Sequence, residues 1–264
     1  MRTPTQALTR IRRGRAGAMT LVAGLSCAAL VASMAAPASA DTSTDALAKI
    51  VPLTDYNPVL RTIPGLPGDD FSYLTHEVFW SVVGVRSPID ANVNLSLYDL
   101  ARHQTVLAQS KQGLGIVDFI AVDSNHRPPD TLYPLVSPVR GGGKYTIQVA
   151  QAEDILDEDV ETITMRTNDV VVIRDSFLLA GTAYEISAVP ANGTQNASLF
   201  IMSSNPSFPL TWVKSRNAAD ASADLAVAGA PETMTFTPTI SDWYGVVLVN
   251  ESGSGAYTLT RTTP

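Results

Sequence analysis

One loop collects residue types that acid–base or nucleophilic chemistry uses. It is Asp123-Ser124-Asn125-His126-Arg127-Pro128-Pro129-Asp130, with Asp123, His126 and Asp130 as its titratable carboxylates and imidazole. A hydrolase triad needs a nucleophile beside a base that a third group orients, and the chain has no G-x-S-x-G elbow to supply one. The loop therefore reads as a solvated turn, and no catalytic residue is assigned. The histidines, His76, His103 and His126, show no i,i+4 pair and no H-E-x-x-H, so they read as surface residues rather than zinc ligands. Oxygen ligands are denser in Glu153-Asp154-Ile155-Leu156-Asp157-Glu158-Asp159. Asp154, Asp157, Glu158 and Asp159 would suit calcium, which takes several oxygens on flexible backbone, but the D-x-D-x-D-G spacing is missing. A solvated linker is the simpler reading of that run. Glycoside hydrolysis would need two carboxylates, whose separation in space adjacency does not set. Among the tryptophans, Trp80 lies in an apolar strand, and Phe208, Leu210 and Trp212 share a face, so both groups read as core. Trp243 sits beside Asp242 at a strand end, where its ring would either stack on a sugar or a partner side chain or cap the fold.

The elements that must position these residues are strands. Val93, Leu95 and Leu97 alternate with polar residues, as do Tyr145, Ile147 and Val149, Met234 and Phe236, and Tyr257 and Leu259. Period-two alternation with β-branched and aromatic enrichment predicts half-buried antiparallel strands. Turn clusters separate them, such as Gly141-Gly142-Gly143 and Glu251 to Gly255. Thr44–Val51 is the one segment read as a short helix.

The pattern also repeats. Val78 to Val82 resembles Ala183 to Ser187, and Asn94 to Leu97 resembles Ala197 to Phe200. Each copy closes with two strands around a glycine turn, read as a hairpin: Tyr133–Val139 with Tyr145-Thr146-Ile147, then Tyr244–Asn250 with Tyr257-Thr258-Leu259. Two copies of one supersecondary unit predict an all-β chain of two tandem antiparallel sandwiches, jelly-roll-like, with a single fused sandwich as the alternative. The expected boundaries are an N-terminal extension at 41–66, a sandwich at 67–151, an acidic linker at 152–161 and a second sandwich at 162–264.

Residues 1–40 read as a signal peptide cleaved after Ala40. Arg2, Arg10, Arg12, Arg13 and Arg15 precede a short apolar run and the A-x-A site Ala38-Ser39-Ala40. Gly17, Gly24, Ser26 and Ser33 thin that run too much for a membrane anchor. Cys27 lacks the context of a lipidation site, and Gly14-Arg15 continues Arg12-Arg13 poorly for twin-arginine export. Removing five of 18 basic residues and none of 25 acidic ones leaves 13 against 25, a formal charge of −12. That disfavours nucleic acid and anionic membranes, which need a basic footprint. The single cysteine leaves with the signal, so the exported chain carries no disulfide and must rely on apolar burial. No later segment would span a bilayer, since Arg174 and Asp175 interrupt Val170–Leu179.

The second copy resembles the bacterial pre-peptidase C-terminal domain, a β-sandwich appended to many secreted peptidases. The resemblance rests on Asp175 to Tyr184, Ala197 to Ile201 and Gly253 to Thr260, and it covers about 170–262. It implies a non-catalytic accessory module, in a family where some members bind calcium or insoluble substrate. Gln195-Asn196-Ala197 replaces the family's aspartate-rich lead, which argues against family-type metal binding there, and no peptidase domain accompanies the copies. The expectation is a secreted, non-enzymatic protein without a cofactor that contacts an extracellular protein or polysaccharide. Two rivals stand beside it: a hydrolase using loop carboxylates and His126 across the interface between the copies, and a structural component of the cell envelope.

Overall fold

The computed structural model describes residues 50–263 except 66–67, 77–78, 153–155, 157–159, 205–211 and 226. The first copy, with the strand that precedes it, contains β1 (Val51–Pro52), β2 (Val59–Thr62), β3 (Asp69–Leu74), β4 (Trp80–Arg86), β5 (Asn92–Tyr98), β6 (Val106–Ser110), β7 (Asp118–Asp123), β8 (Thr131–Arg140) and β9 (Lys144–Gln151). The second contains β10 (Glu161–Met165), β11 (Val171–Leu178), β12 (Tyr184–Pro190), β13 (Asn196–Met202), β14 (Val213–Ser215), β15 (Ala221–Ala223), β16 (Glu232–Phe236), β17 (Asp242–Ser252) and β18 (Gly255–Thr262). One 3-10 turn, Arg216–Ala218, is the only helical piece among the described residues. The segment read as a helix enters the described residues at Ile50, and Val51 is already a strand paired in parallel with Phe71.

Four sheets result, ordered β1-β3-β8-β5-β6, β2-β9-β4-β7-β14, β11-β17-β13-β15 and β10-β18-β12-β16. Setting β1 and β14 aside, the two copies map strand for strand: β2-β9-β4-β7 onto β10-β18-β12-β16, and β3-β8-β5-β6 onto β11-β17-β13-β15. In each, the first, eighth, third and sixth strands form one sheet and the second, seventh, fourth and fifth the other. That order is the double-sheet jelly roll. The all-β antiparallel architecture expected from the alternation is the one observed.

The two glycine hairpins are not hairpins. β8 pairs with β3 and β5, whereas β9 pairs with β4 and β2. Likewise β17 and β18 lie in different sheets. Each glycine turn is a corner at which the chain crosses between sheets. Alternation reports that a strand has one buried face, but it does not report which neighbour pairs with the backbone edge.

Three apolar layers separate the four sheets. Val83, Val85, Leu95, Leu97, Ile120, Tyr145 and Ile147 fill the first jelly roll. Ile186, Leu199, Ile201, Tyr244, Val246, Leu248, Tyr257 and Leu259 fill the second. A third layer, with Trp80, Val82, Phe119, Val171, Ile173, Phe200, Val247 and Val249, lies between the jelly rolls. This seam explains the runs that do not alternate. In Val246-Val247-Leu248-Val249, even positions face the second core and odd positions face the seam, so both faces of β17 are buried. The seam is tight: a methyl added to Gly84 would lie 2.6 Å from Val171, and one added to Gly245 would lie 2.9 Å from the Trp80 ring.

The second copy also lends backbone to the first. After β13 the chain leaves its own jelly roll, and β14 adds to the free edge of β7 in the first. The N-terminal extension supplies β1 and β2 to the two sheets of the first jelly roll.

Candidate functional site

β4 and β7 run antiparallel, with Trp80 opposite Asp123 at one end and Val85 opposite Asp118 at the other. In β7, Phe119, Ala121 and Asp123 share the face turned to the seam, and in β11 Val171, Ile173 and Asp175 do the same. Strand geometry thus delivers two carboxylates, each with no exposed surface, to one end of an apolar interface.

Each carboxylate is wired. The backbone N–H of Trp80 donates to Asp175 Oδ1 at 2.8 Å, and the Asn125 amide donates to Asp175 Oδ2 at 3.0 Å. Both bonds cross between the jelly rolls. Burial pushes the Asp175 carboxyl up to about 6, against those two hydrogen bonds, and the charge of Asp123 pushes the same way. Asp123 Oδ1 accepts from the Asn125 backbone N–H at 2.8 Å, and its Oδ2 lies 2.6 Å from His126 Nδ1. Ser204, just past β13, donates its hydroxyl to the same Asp123 Oδ2 and sits 3.0 Å from His126 Nδ1. The other ring nitrogen, Nε2, lies 3.4 Å from Asp242 Oδ1, at the start of β17. Partial burial lowers the tendency of His126 to hold a proton, but the Asp123 hydrogen bond and the charges of Asp123 and Asp242 outweigh it, so its pKa is raised.

This arrangement resembles a triad in composition and differs in geometry. In a working triad the serine and the carboxylate use opposite nitrogens of the imidazole. Here Ser204 and Asp123 crowd the same nitrogen, the serine proton points at the carboxylate, and the far nitrogen faces a second carboxylate. When protonated, the ring pairs with both carboxylates and bridges the loop after β7 to β17, the geometry of an ionic clamp.

Asp130 lies outside the clamp and pairs with Arg127 at 2.6 Å. The Arg127 guanidinium lies 4.0 Å from the centre of the half-buried Trp212 ring. Trp80 is fully buried in the seam, and its indole N–H donates to the Trp243 carbonyl at 3.2 Å. Trp243 is half-buried and meets Phe177 edge-to-face at 5.4 Å. His103 is elsewhere, stacked on Tyr98 and 3.2 Å from Asp70. Asp154, Asp157, Glu158 and Asp159, with Phe208 and Leu210, lie outside the described residues. Among the described residues, no group of three or more potential ligands is arranged to hold a metal ion.

Sequence reading singled out the loop but not its partners. Asp175 carried a signal, a lone acid inside an apolar strand. Ser204 and Asp242 carried none, because both are ordinary loop and strand-end residues until the seam brings them together.

No family model matches the chain, and no curated protein matches it. Solved structures align with low similarity. The pre-peptidase C-terminal domain of a collagenase from Bacillus anthracis aligns over 38% of this chain and 93% of its own, at 14% identity and a TM-score of 0.31. The turret protein A223 of Sulfolobus turreted icosahedral virus aligns over 78% of this chain and 97% of its own, at 10% identity and a TM-score of 0.21. The ANX2 ectodomain from Arabidopsis thaliana aligns over 76% and 83%, at 9% identity and a TM-score of 0.26. At these values the likenesses carry no argument, and the jelly-roll assignment stands on the strand order alone. Among the described residues, no helix is long and apolar enough to cross a membrane.

Proposed function

We propose that this chain is a secreted, non-catalytic binding protein, a rigid double jelly roll that contacts an extracellular protein or polysaccharide without a cofactor. The observation that carries this reading is the wiring of His126. Nδ1 is hydrogen-bonded to Asp123 and Nε2 faces Asp242, while the Ser204 hydroxyl donates its hydrogen bond to Asp123. The constellation that most resembles catalytic machinery is thereby spent on joining the two halves. The export signal and the acidic balance of the chain favour an extracellular partner that is not nucleic acid.

The test is co-sedimentation of purified protein with cellulose, chitin, peptidoglycan and collagen, each with calcium and with a chelator, alongside labelling by a fluorophosphonate. Saturable retention on one polymer with no covalent labelling is the expected result. Labelling at Ser204 that disappears in His126→Ala would transfer the assignment to a hydrolase. Loss of retention in chelator would implicate calcium at the acidic run. No retention on any polymer would leave the envelope-component reading in its place.

A further inference from the structure

At the end of the seam opposite His126, the jelly rolls part to form an open cleft of about 660 Å3. Pockets of a few hundred to a thousand Å3 are the size that holds a small ligand. Both halves build it: Gln112, Leu114 and Ile116 come from the first, and Asn196, Arg216 and Glu251 from the second.

Its floor is a fixed set of donors and acceptors. The Arg216 guanidinium, its side chain 7% exposed, lies 4.8 Å over the Phe200 ring. It donates to Glu251 Oε1 at 2.7 Å, to the Val117 carbonyl at 2.8 Å and to Asp224 Oδ2 at 3.2 Å. Glu251 also accepts from the Ser198 hydroxyl at 2.9 Å and from the Val117 N–H at 3.3 Å. One cation thus serves two carboxylates, and the surplus negative charge repels anionic ligands. Asn196 Oδ1 is buried and has no hydrogen-bond partner among the described residues, an acceptor awaiting a donor. On the rim, the Gln112 amide donates to Asn217 Oδ1 across the two halves at 2.8 Å, beside the half-exposed Leu114 and Ile116.

We infer that this cleft binds a short segment of a neutral glycan, with ring hydroxyls on Asn196, Arg216 and Glu251 and ring faces against Leu114 and Ile116. This rests on the binding-protein reading above. A hydroxyl both donates and accepts, so it meets the Asn196 oxygen and the ion-pair floor together, whereas a phosphate or uronate would add charge where one is already in excess. A peptide strand is the poorer fit, because β15, the sheet edge beside the cleft, is only three residues long and offers a short rail for strand addition.

The experiment is calorimetric titration of the purified protein with neutral hexaoses of glucose, N-acetylglucosamine, xylose and mannose, and with hexagalacturonate as the acidic counterpart. Ser222→Trp places a ring in the cleft from an exposed strand position, and Asn196→Leu removes the waiting acceptor. Thr233→Trp, on the solvent face of the outer sheet, is the control. The expected result is saturable binding of a neutral hexaose, weakened at least tenfold by both cleft variants and unchanged by the control. Glycan binding that survives both cleft variants, or a preference for hexagalacturonate, would overturn the cleft assignment while leaving the binding-protein reading standing. Absence of any glycan binding while collagen is still retained on sedimentation would do the same. Absence of both would overturn the two together.

Discussion

Asp175 shows how a single polar residue in an apolar strand ties together two halves of a molecule. Its carboxylate accepts from Trp80 and Asn125 across the seam, yet its burial raises its pKa from 3.8 to about 6. The folded protein therefore holds a proton there in a pH range where the unfolded chain has lost it, and stability falls as pH rises through that range. The contribution is fully present below about pH 3.8 and gone above about pH 6. Asp118, pushed up to about 6 mainly by burial, acts in the same direction. So does His126, whose raised pKa gives stability that is complete below its unfolded value and lost as pH climbs through the folded one. Urea denaturation should show wild-type stability declining between pH 4.5 and 7.5, and Asp175→Asn should remove roughly 2 kcal/mol of that decline, given 1.36 kcal/mol per pKa unit. Parallel stability profiles for the two proteins would show that Asp175 does not titrate in this window. Substituting His126 by Gln should flatten the profile above pH 6.5 and, on the proposed reading of the clamp as structural, leave polymer retention unchanged.

Strands at the seam are read differently from strands at the surface. The outer sheet β10-β18-β12-β16 keeps a polar face, with Thr258 and Thr260 outward and Tyr257 and Leu259 inward, which is why its alternation was legible. β4 and β17 are buried on both faces and read as continuous apolar runs, which periodicity alone does not assign to a partner. Gly84 of β4 lies against Val171 of β11, and Gly245 of β17 lies against the Trp80 ring of β4. Gly84→Ala should destabilise by about 1–3 kcal/mol, the usual cost of overpacking, and lower the urea midpoint at unchanged slope. Gly142→Ala, where an added methyl meets nothing within 4 Å, should stay within about 0.5 kcal/mol. Equal effects at the two positions would refute a tight seam.

As a whole, the molecule is two jelly rolls that share one apolar interface, the second lending strand β14 to the first. The described residues form a single compact unit. Arg86 of the first half donates to the Asp169 and Asn250 carbonyls of the second, and Gln148 Oε1 accepts from the N–H groups of Val170 and Val171. Large apolar interfaces of this kind couple domains that would otherwise move independently. Heating should therefore give one cooperative transition for the whole chain. Residues 160–262 expressed alone would expose Val171, Ile173, Phe200, Met202, Val247 and Val249, and should bind a hydrophobic dye and self-associate in sedimentation velocity. A monomeric fragment with the melting temperature of the intact protein would show that the seam adds nothing.

From the amino-acid order alone came the all-β class, the twofold repeat, the acidic balance of the chain and the loop that holds His126. These are local properties: residue period, composition and short-range spacing carry them directly. Only the tertiary structure decided that the glycine turns are corners between sheets, that β14 pairs outside its own copy, and that Ser204, Asp175 and Asp242 meet His126. It alone opened the cleft around Arg216, Glu251 and Asn196. Strand pairing and sheet stacking are set by long-range burial, in which many sequence separations satisfy the same alternation. The choice among them is made only when the apolar faces of both copies close on one another.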